Sequence, residues 1–130
     1  MYVFIDPAER EAYHFYSSRD TRAWEEARFP RTEFASLLAA LLHFLAEQGE
    51  SLQALKGIMV RVGKGSFTAD RIAITTVNML VFSLSIPALT TKELAVDAVG
   101  EALRSVTKPQ YIVAEYSAPP NVGTKEPYIG

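Results

Sequence analysis

The stretch of sequence that decides the fold is residues 57–94, which read GIMVRVGKGSFTADRIAITTVNMLVFSLSIPALTTKEL. The apolar run at 57–62 predicts a buried strand. The glycine-rich segment 63–68 ends that strand and opens a helix that continues to about residue 84. Residues 87–90 then predict a short strand, and residues 91–104 predict another helix. Strand, helix, strand and helix in succession are typical of an α/β protein with parallel neighbouring strands.

The residues before this stretch predict three short strands and one helix. The strands are expected at 2–5, 12–17 and 22–29, where apolar and aromatic runs are bounded by turn residues. The helix is expected to start at a Thr32 cap and to end at Gly49, with a leucine face packed on the sheet. An antiparallel three-strand meander followed by parallel crossovers indicates an α/β fold of ribonuclease H-like type. Its mixed five-stranded sheet has flanking helices, as in one lobe of an actin-like ATPase.

The composition bounds the domain count and the class of partner. The chain has 130 residues, of which 48% are hydrophobic, and this suffices for one core. Residues 1–106 are expected to form that single lobe, and residues 107–130, with four prolines, an extended C-terminal strand and tail. A net charge of −2 gives no electrostatic reason to expect direct nucleic-acid binding. The absence of cysteine excludes disulfides, thiol nucleophiles and iron–sulfur clusters.

One segment has the length of a membrane span. Twenty uncharged residues separate Arg71 from Lys92, but Pro87 and many serines and threonines interrupt them. A buried helix followed by a buried strand explains the segment better. The N-terminus also lacks the basic segment of a signal peptide. We therefore expect a soluble, cytoplasmic protein that makes no contact with a membrane.

The pattern G-x-G-S-F-T-x-x-R-I within the opening stretch resembles a motif of the TsaB (YeaZ) family. The matching residues are Gly63, Gly65, Ser66, Phe67, Thr68, Arg71, Ile72, Ile86 and Pro87. Residues 31–55 are similar to the first helix of the family, and Asp6 matches the aspartate of its Asp-Thr-Ser motif. The resemblance covers residues 1–104. It implies a noncatalytic partner of the TsaD threonylcarbamoyltransferase, which modifies tRNA at position 37 to N6-threonylcarbamoyladenosine, so that this chain meets tRNA only indirectly.

Several residues depart from the family pattern. Pro7 and Ala8 replace the Thr and Ser hydroxyls that lie near a nucleotide phosphate in the actin-like superfamily. Ala69 and Ala73 replace glycines, and Asp70 replaces an apolar residue. Family members have two lobes, whereas one lobe and a tail are expected here. The resemblance with these departures implies that no nucleotide or other cofactor is bound.

The glycine-rich segment is also a candidate anion site, because a helix N-terminus offers free N–H groups. It is not a Walker A loop, since Gly65 rather than Ser or Thr follows Lys64. A tight strand-to-helix turn, capped by Ser66 or Thr68, is the better interpretation.

No catalytic or metal site is expected. Asp6 lies where ribonuclease H-like nucleases place a metal-binding carboxylate, but Arg61 stands where a second carboxylate is needed. Asp70 is explained by the helix dipole. His14 and His43 do not have the spacing of metal ligands.

The helix at 67–84 is apolar around most of its circumference, which implies burial on all sides. One lobe leaves one of those sides uncovered, so we expect a partner protein there. Coverage by the last helix and the tail is the alternative. The predicted interface residues on the first two helices are Leu38, Leu42, Ile74, Val77, Asn78, Val81 and Phe82. The contact should be centred near Val77 and Val81, with a polar edge at Asp70.

The sequence thus predicts a noncatalytic TsaB-like protein that docks on a TsaD-like protein as a heterodimer, or on itself as a homodimer. A homodimeric scaffold outside tRNA modification is the alternative function. A remnant enzyme with its own small-molecule site is a third interpretation.

Overall fold

The computed structural model describes residues 1–113, in which a five-stranded sheet is covered by helices on both faces. The strands are β1 (Tyr2–Asp6), β2 (Ala12–Ser18), β3 (Glu25–Pro30), β4 (Gly57–Arg61) and β5 (Ala88–Thr91). The helices are α1 (Leu37–Glu47), α2 (Phe67–Leu84) and α3 (Val96–Ser105), with 3-10 turns at Arg31–Glu33 and Leu52–Ala54.

The sheet has the order β3-β2-β1-β4-β5. The pairs β1–β2 and β2–β3 are antiparallel, and the pairs β1–β4 and β4–β5 are parallel. The predicted meander followed by parallel crossovers is therefore confirmed. The predicted strand and tail beyond residue 113 lie outside the described residues, and between 107 and 113 the structure has one isolated bridge, from Gln110 to Pro87.

The two faces of the sheet bury different helices because successive strand residues point to opposite sides. In β1, Val3 and Ile5 belong to the larger core cluster, which contains the buried residues of α1 and α2. Phe4, between them, packs with Met59 and with residues of α3 on the other face. The helices α1 and α2 thus lie side by side on one face of the sheet, and α3 covers the opposite face.

The first helix begins later than predicted. Ser36 caps α1 by accepting the backbone N–H of Ala39 at 3.1 Å, and the predicted cap, Thr32, lies in the preceding 3-10 turn. Two residues of the cap type stand four positions apart, and the sequence pattern does not separate them. The end of the helix is as predicted, since Gly49 follows the last turn with φ of +73°.

The last helix also begins later, at Val96 rather than at residue 91. Thr91 pairs with Arg61 in the sheet, and its hydroxyl accepts the N–H of Glu93, so a turn precedes the helix. Leu94 and Ala98 are exposed. The inward positions are those of Val99, Gly100 and Leu103.

The helix α2 is long and apolar enough to cross a membrane, judged by length and composition. A core helix of a water-soluble protein meets the same criterion. One side of α2 packs into the larger core cluster, through Ala73, Val77 and Leu80 among others.

Candidate interaction surface

The glycine-rich turn between β4 and α2 is a tight, capped turn, as predicted. Gly63 has φ of +83°, a conformation that favours glycine. Ser66 caps α2, because its hydroxyl accepts the N–H of Ala69 at 2.9 Å. The geometry of the turn therefore accounts for Gly63 and Ser66, two of the residues that match the TsaB (YeaZ) motif.

Gly65 has a different role in the same turn. A Cβ atom at this position would lie 2.9 Å from the Cα of Ala8 and 3.2 Å from the carbonyl oxygen of Pro7. The loop after β1 therefore packs against the turn at a distance that only glycine permits. Pro7 and Ala8, which replace two hydroxyl residues of the family pattern, form this contact.

Asp6, at the end of β1, is buried and forms an ion pair with Arg61. The two side chains are 3.0 Å apart, and the other carboxylate oxygen of Asp6 accepts the N–H of Ala8 at 3.1 Å. The positive charge of Arg61 thus lies where a metal ion would be needed. Among residues 1–113 there is no group of three or more acidic, histidine or cysteine side chains that could hold a metal.

Asp70 is not at an exposed edge, contrary to the prediction, because only 2% of it is exposed. Its Oδ2 accepts the N–H of Gly63 at 2.9 Å and so closes the turn, while its Oδ1 has no hydrogen-bond partner among the described residues. Burial, and to a lesser extent the charge of Asp6, raise the pKa of the Asp70 carboxyl, although the Gly63 N–H acts in the opposite direction.

The predicted centre of the interface is wrong. Val77 and Val81, together with Ile74, are buried in the chain's own core and have almost no surface to offer a partner. Internal packing with α1 and the sheet covers them, whereas the alternative assigned this coverage to the last helix and the tail. Asn78 also faces inward in part, because its side chain both donates to and accepts from the backbone of Ile112, at 2.8 Å each.

Four of the predicted interface residues, Asn78 among them, keep exposed or partly exposed surface. Phe82 is 75% exposed and Leu42 is 42% exposed, and Leu38 is half-buried against the core. Leu38 and Leu42 lie one turn apart on α1, and Phe82 lies in the last turn of α2. The structure therefore brings exposed apolar side chains of both helices to the same face of the sheet.

The exposed side of α2, named here the outer face, is more apolar than expected. Its members are Phe67, Thr68, Arg71, Ile72, Thr75, Met79, Phe82 and Ser83. At 100° per residue these side chains occupy one half of the helix, opposite Ala73, Val77 and Leu80. The sequence reasoning missed Ile72 and Met79 as surface residues. The sequence contains one signal for their exposure, because the charged Arg71 and the polar Thr75 lie on the same half of the helix as Ile72 and Met79.

Two grooves lie near this surface. One, of about 380 Å³, follows the outer face and is lined by Phe67, Thr68, Arg71, Ile72, Thr75 and Thr76. The other, of about 700 Å³, lies between the loop after β1 and the glycine-rich turn. Its charged side chains are Glu9, Arg10, Arg31 and Lys64.

The two histidines form ordinary surface pairs. His14 lies 2.6 Å from Glu9, and His43 lies 3.1 Å from Glu47. Glu9 also pairs with Arg28, and the hydrogen bonds from Arg28 and His14 lower the pKa of the Glu9 carboxyl to about 2. These contacts account for both histidines without a metal.

No protein-family model and no curated protein matches this sequence. Among solved structures, YeaZ from Pseudomonas aeruginosa is similar with a TM-score of 0.61 and 29% identity. That match covers 72% of this chain and 43% of YeaZ. A second structure, titled an uncharacterized protein with similarity to peptidase YeaZ from Pseudomonas aeruginosa, has a TM-score of 0.60 and 30% identity, covering 72% of this chain and 44% of its own.

The similarity is therefore to one part of a longer protein, since the chain spans less than half the length of each of these two structures. The matching structures share its mixed sheet with flanking helices, which agrees with the ribonuclease H-like type that the sequence predicts. This chain has a TsaB (YeaZ)-like fold.

Proposed function

We propose that this chain is a noncatalytic, cytoplasmic TsaB-like protein that docks on a TsaD-like protein and supports N6-threonylcarbamoyladenosine formation at position 37 of tRNA. The observation that carries the proposal is the likeness to YeaZ at 29–30% identity over 72% of the chain. In this role the chain needs no cofactor and meets tRNA only through its partner. In the absence of the partner, the same surface forms a homodimer.

The docking surface of the proposal is the outer face of α2 together with the adjoining flank of α1. Phe67, Ile72, Met79 and Phe82 on α2 and Leu42 on α1 are large apolar side chains that are between 42% and 75% exposed. A group of large apolar side chains on one face is typical of a protein–protein contact. The proposed contact uses the same two helices as the sequence prediction but the opposite side of α2.

Two contacts support a noncatalytic role. The carboxylate of Asp6 is held by Arg61 and by the N–H of Ala8. The following residues, Pro7 and Ala8, carry no hydroxyl and pack against Gly65. The two residues that carry hydroxyls near a phosphate in the superfamily pattern are thus apolar here, and their backbone packs against the glycine-rich turn.

The test is gel filtration with light scattering of this chain mixed with the TsaD protein of its own organism. Ile72→Asp and Leu94→Asp form a matched pair, because the two side chains are 48% and 47% exposed and Leu94 lies outside α1 and α2. We expect wild type and Leu94→Asp to co-elute with TsaD and Ile72→Asp to elute separately, since an unpaired charge in the interface costs about 3–5 kcal/mol.

Two results would contradict the proposal. One is a wild-type chain that elutes apart from TsaD at tens of micromolar. The other is equal behaviour of the two variants in the presence of TsaD. Circular dichroism of each variant controls for folding.

A further inference from the structure

We propose that the side chain of Asp70 and the N–H of Gly63 form a pH-sensitive latch. The latch closes the glycine-rich turn when the Asp70 carboxyl is neutral and releases the turn when that carboxyl ionises. The inference is independent of the proposed function, because it concerns contacts within this chain alone. It also sets the chain apart from the TsaB (YeaZ) pattern, which has an apolar residue where Asp70 stands.

The latch joins the first turn of α2 to the backbone that follows β4. Asp70 lies in that first turn, and its Oδ2 accepts the N–H of Gly63 at 2.9 Å. The φ of Gly63 is +83°, so the direction of this N–H is set by a backbone conformation that favours glycine. The hydrogen bond therefore ties the two ends of the glycine-rich turn together.

The surroundings of Asp70 disfavour a charge on its carboxyl. Only 2% of the residue is exposed, and its Oδ1 has no hydrogen-bond partner among the described residues. Burial raises the pKa of the carboxyl, and the N–H of Gly63 offsets only part of that rise. A neutral carboxyl keeps the hydrogen bond on Oδ2 and carries its proton on Oδ1. The neutral form is thus the one that fits the closed turn.

The charged groups near Asp70 do not compensate an ionised carboxylate. Asp6, at the end of β1, bears a like charge and adds to the effect of burial on the pKa of Asp70. Arg61, at the end of β4, is bound to Asp6 at 3.0 Å. Lys64 and Arg71 are exposed, and α1 buries only apolar side chains. Among residues 1–113, no cation forms an ion pair with Asp70.

The direction of the switch follows from the two states of the turn. When the turn opens, water reaches the carboxylate and its pKa returns to the ordinary value of 3.8. The closed turn holds the pKa above this value, so bound protons favour the closed turn. The population of the open turn therefore rises with pH from 3.8, by up to about tenfold per pH unit, and is constant above the pKa of the closed turn.

Hydrogen exchange of the Gly63 amide, followed by NMR between pH 3.5 and pH 7, tests the latch. Its protection factor, which corrects for the intrinsic effect of pH on exchange, should fall at least threefold in wild type. Asp70→Asn is the matched control, because its side-chain oxygen accepts the same N–H and does not titrate. We expect the protection factor of Gly63 to change by less than 1.5-fold in this variant.

Urea added to wild type at pH 7, below the unfolding transition, shows whether the opening is local. An amide that exchanges through a local opening is insensitive to such urea, whereas one that needs global unfolding is not. We expect the exchange of Gly63 to stay within twofold while that of the buried Val60 in β4 becomes faster.

Two results would overturn the latch. One is a protection factor of Gly63 that is constant with pH, or that falls equally in Asp70→Asn. The other is exchange of Gly63 that accelerates with urea as steeply as that of Val60, because Gly63 would then exchange only when the whole chain unfolds. Neither result bears on the proposed function, since the experiment contains no TsaD.

Discussion

A Cβ atom on Gly65 would lie 2.9 Å from the Cα of Ala8, so the turn before α2 and the loop after β1 are in direct backbone contact. The contact joins two segments that are far apart in sequence but follow adjacent parallel strands. This close packing explains why position 65 is a glycine. Position 63 is a glycine for a different reason, which is its positive φ.

The first prediction concerns this contact. Gly65→Ala should lower the free energy of unfolding by about 1–3 kcal/mol, because the atom that the new methyl group meets is backbone and cannot rotate away. Urea unfolding measures the change. Thr68→Ala, an exposed change in the same turn, is the control and should stay within about 0.5 kcal/mol of wild type. Equal stability of Gly65→Ala and wild type would mean that the loop after β1 moves freely.

The second prediction concerns the pH dependence of stability. Burial raises the pKa of Asp70 above its ordinary value of 3.8. At a pH between these two values, the folded state holds a proton on Asp70 that the unfolded state has lost. The contribution of Asp70 to stability therefore decreases as pH rises from about 3.8 through the raised pKa of the folded state. Asp70→Asn keeps an oxygen that can accept from Gly63 and removes this titration.

Urea unfolding of wild type and Asp70→Asn between pH 3.5 and pH 8 tests this expectation. The difference in unfolding free energy, wild type minus variant, should fall as pH rises. A difference that is constant, or that rises with pH, would contradict the raised pKa of the Asp70 carboxyl in the folded state.

The third prediction concerns the clamp between Asn78 and Ile112. The Asn78 amide donates to the Ile112 carbonyl and accepts its N–H, both at 2.8 Å. Asn78→Ala removes both hydrogen bonds, each worth about 1 kcal/mol. Hydrogen exchange of the Ile112 amide should become at least tenfold faster, whereas Thr75→Ala, on the exposed side of the same helix, should leave it unchanged. Unaltered exchange in Asn78→Ala would show that Ile112 is held by other contacts.

The fourth prediction concerns the docking of α3. A Cβ at Gly100 would lie 2.8 Å from both the Cβ and the carbonyl oxygen of Thr21. Gly100→Ala should therefore displace α3 and lower the free energy of unfolding by about 1–3 kcal/mol. Ala98→Ser, at an exposed position of the same helix, is the control. Thermal unfolding with equal midpoints for both variants would contradict this packing.

The order of strands and helices and the mixed sheet were predictable from sequence because each depends on local patterns of apolar residues and turns. The motif at 63–71 located the turn and left its cap open between Ser66 and Thr68, of which the structure uses Ser66. The apolar residues of α2 did not reveal its orientation, and only Arg71 and Thr75 mark its exposed half. Ile72 and Ile74 are chemically alike and two residues apart, yet one is exposed and the other is buried. In a helix with apolar residues on every side, the pattern does not mark the core side.

The burial of Asp70 could not be predicted from the sequence either. An acidic residue in the first turn of a helix is stabilised there whether or not it is exposed. The burial follows from the position of Gly63, whose N–H points back towards the helix and donates to the Asp70 carboxylate. That position depends on the path of the chain after β4, which no local pattern in the sequence encodes.

Hydrogen–deuterium exchange of this chain, alone and with the TsaD protein of its organism, tests the central proposal most directly. We expect slower exchange in peptides from α1 and α2 when TsaD is present, and unchanged exchange in peptides from α3, which lies on the opposite face of the sheet. Exchange that is unaltered by TsaD, or that slows in α3 and not in α2, would contradict the account.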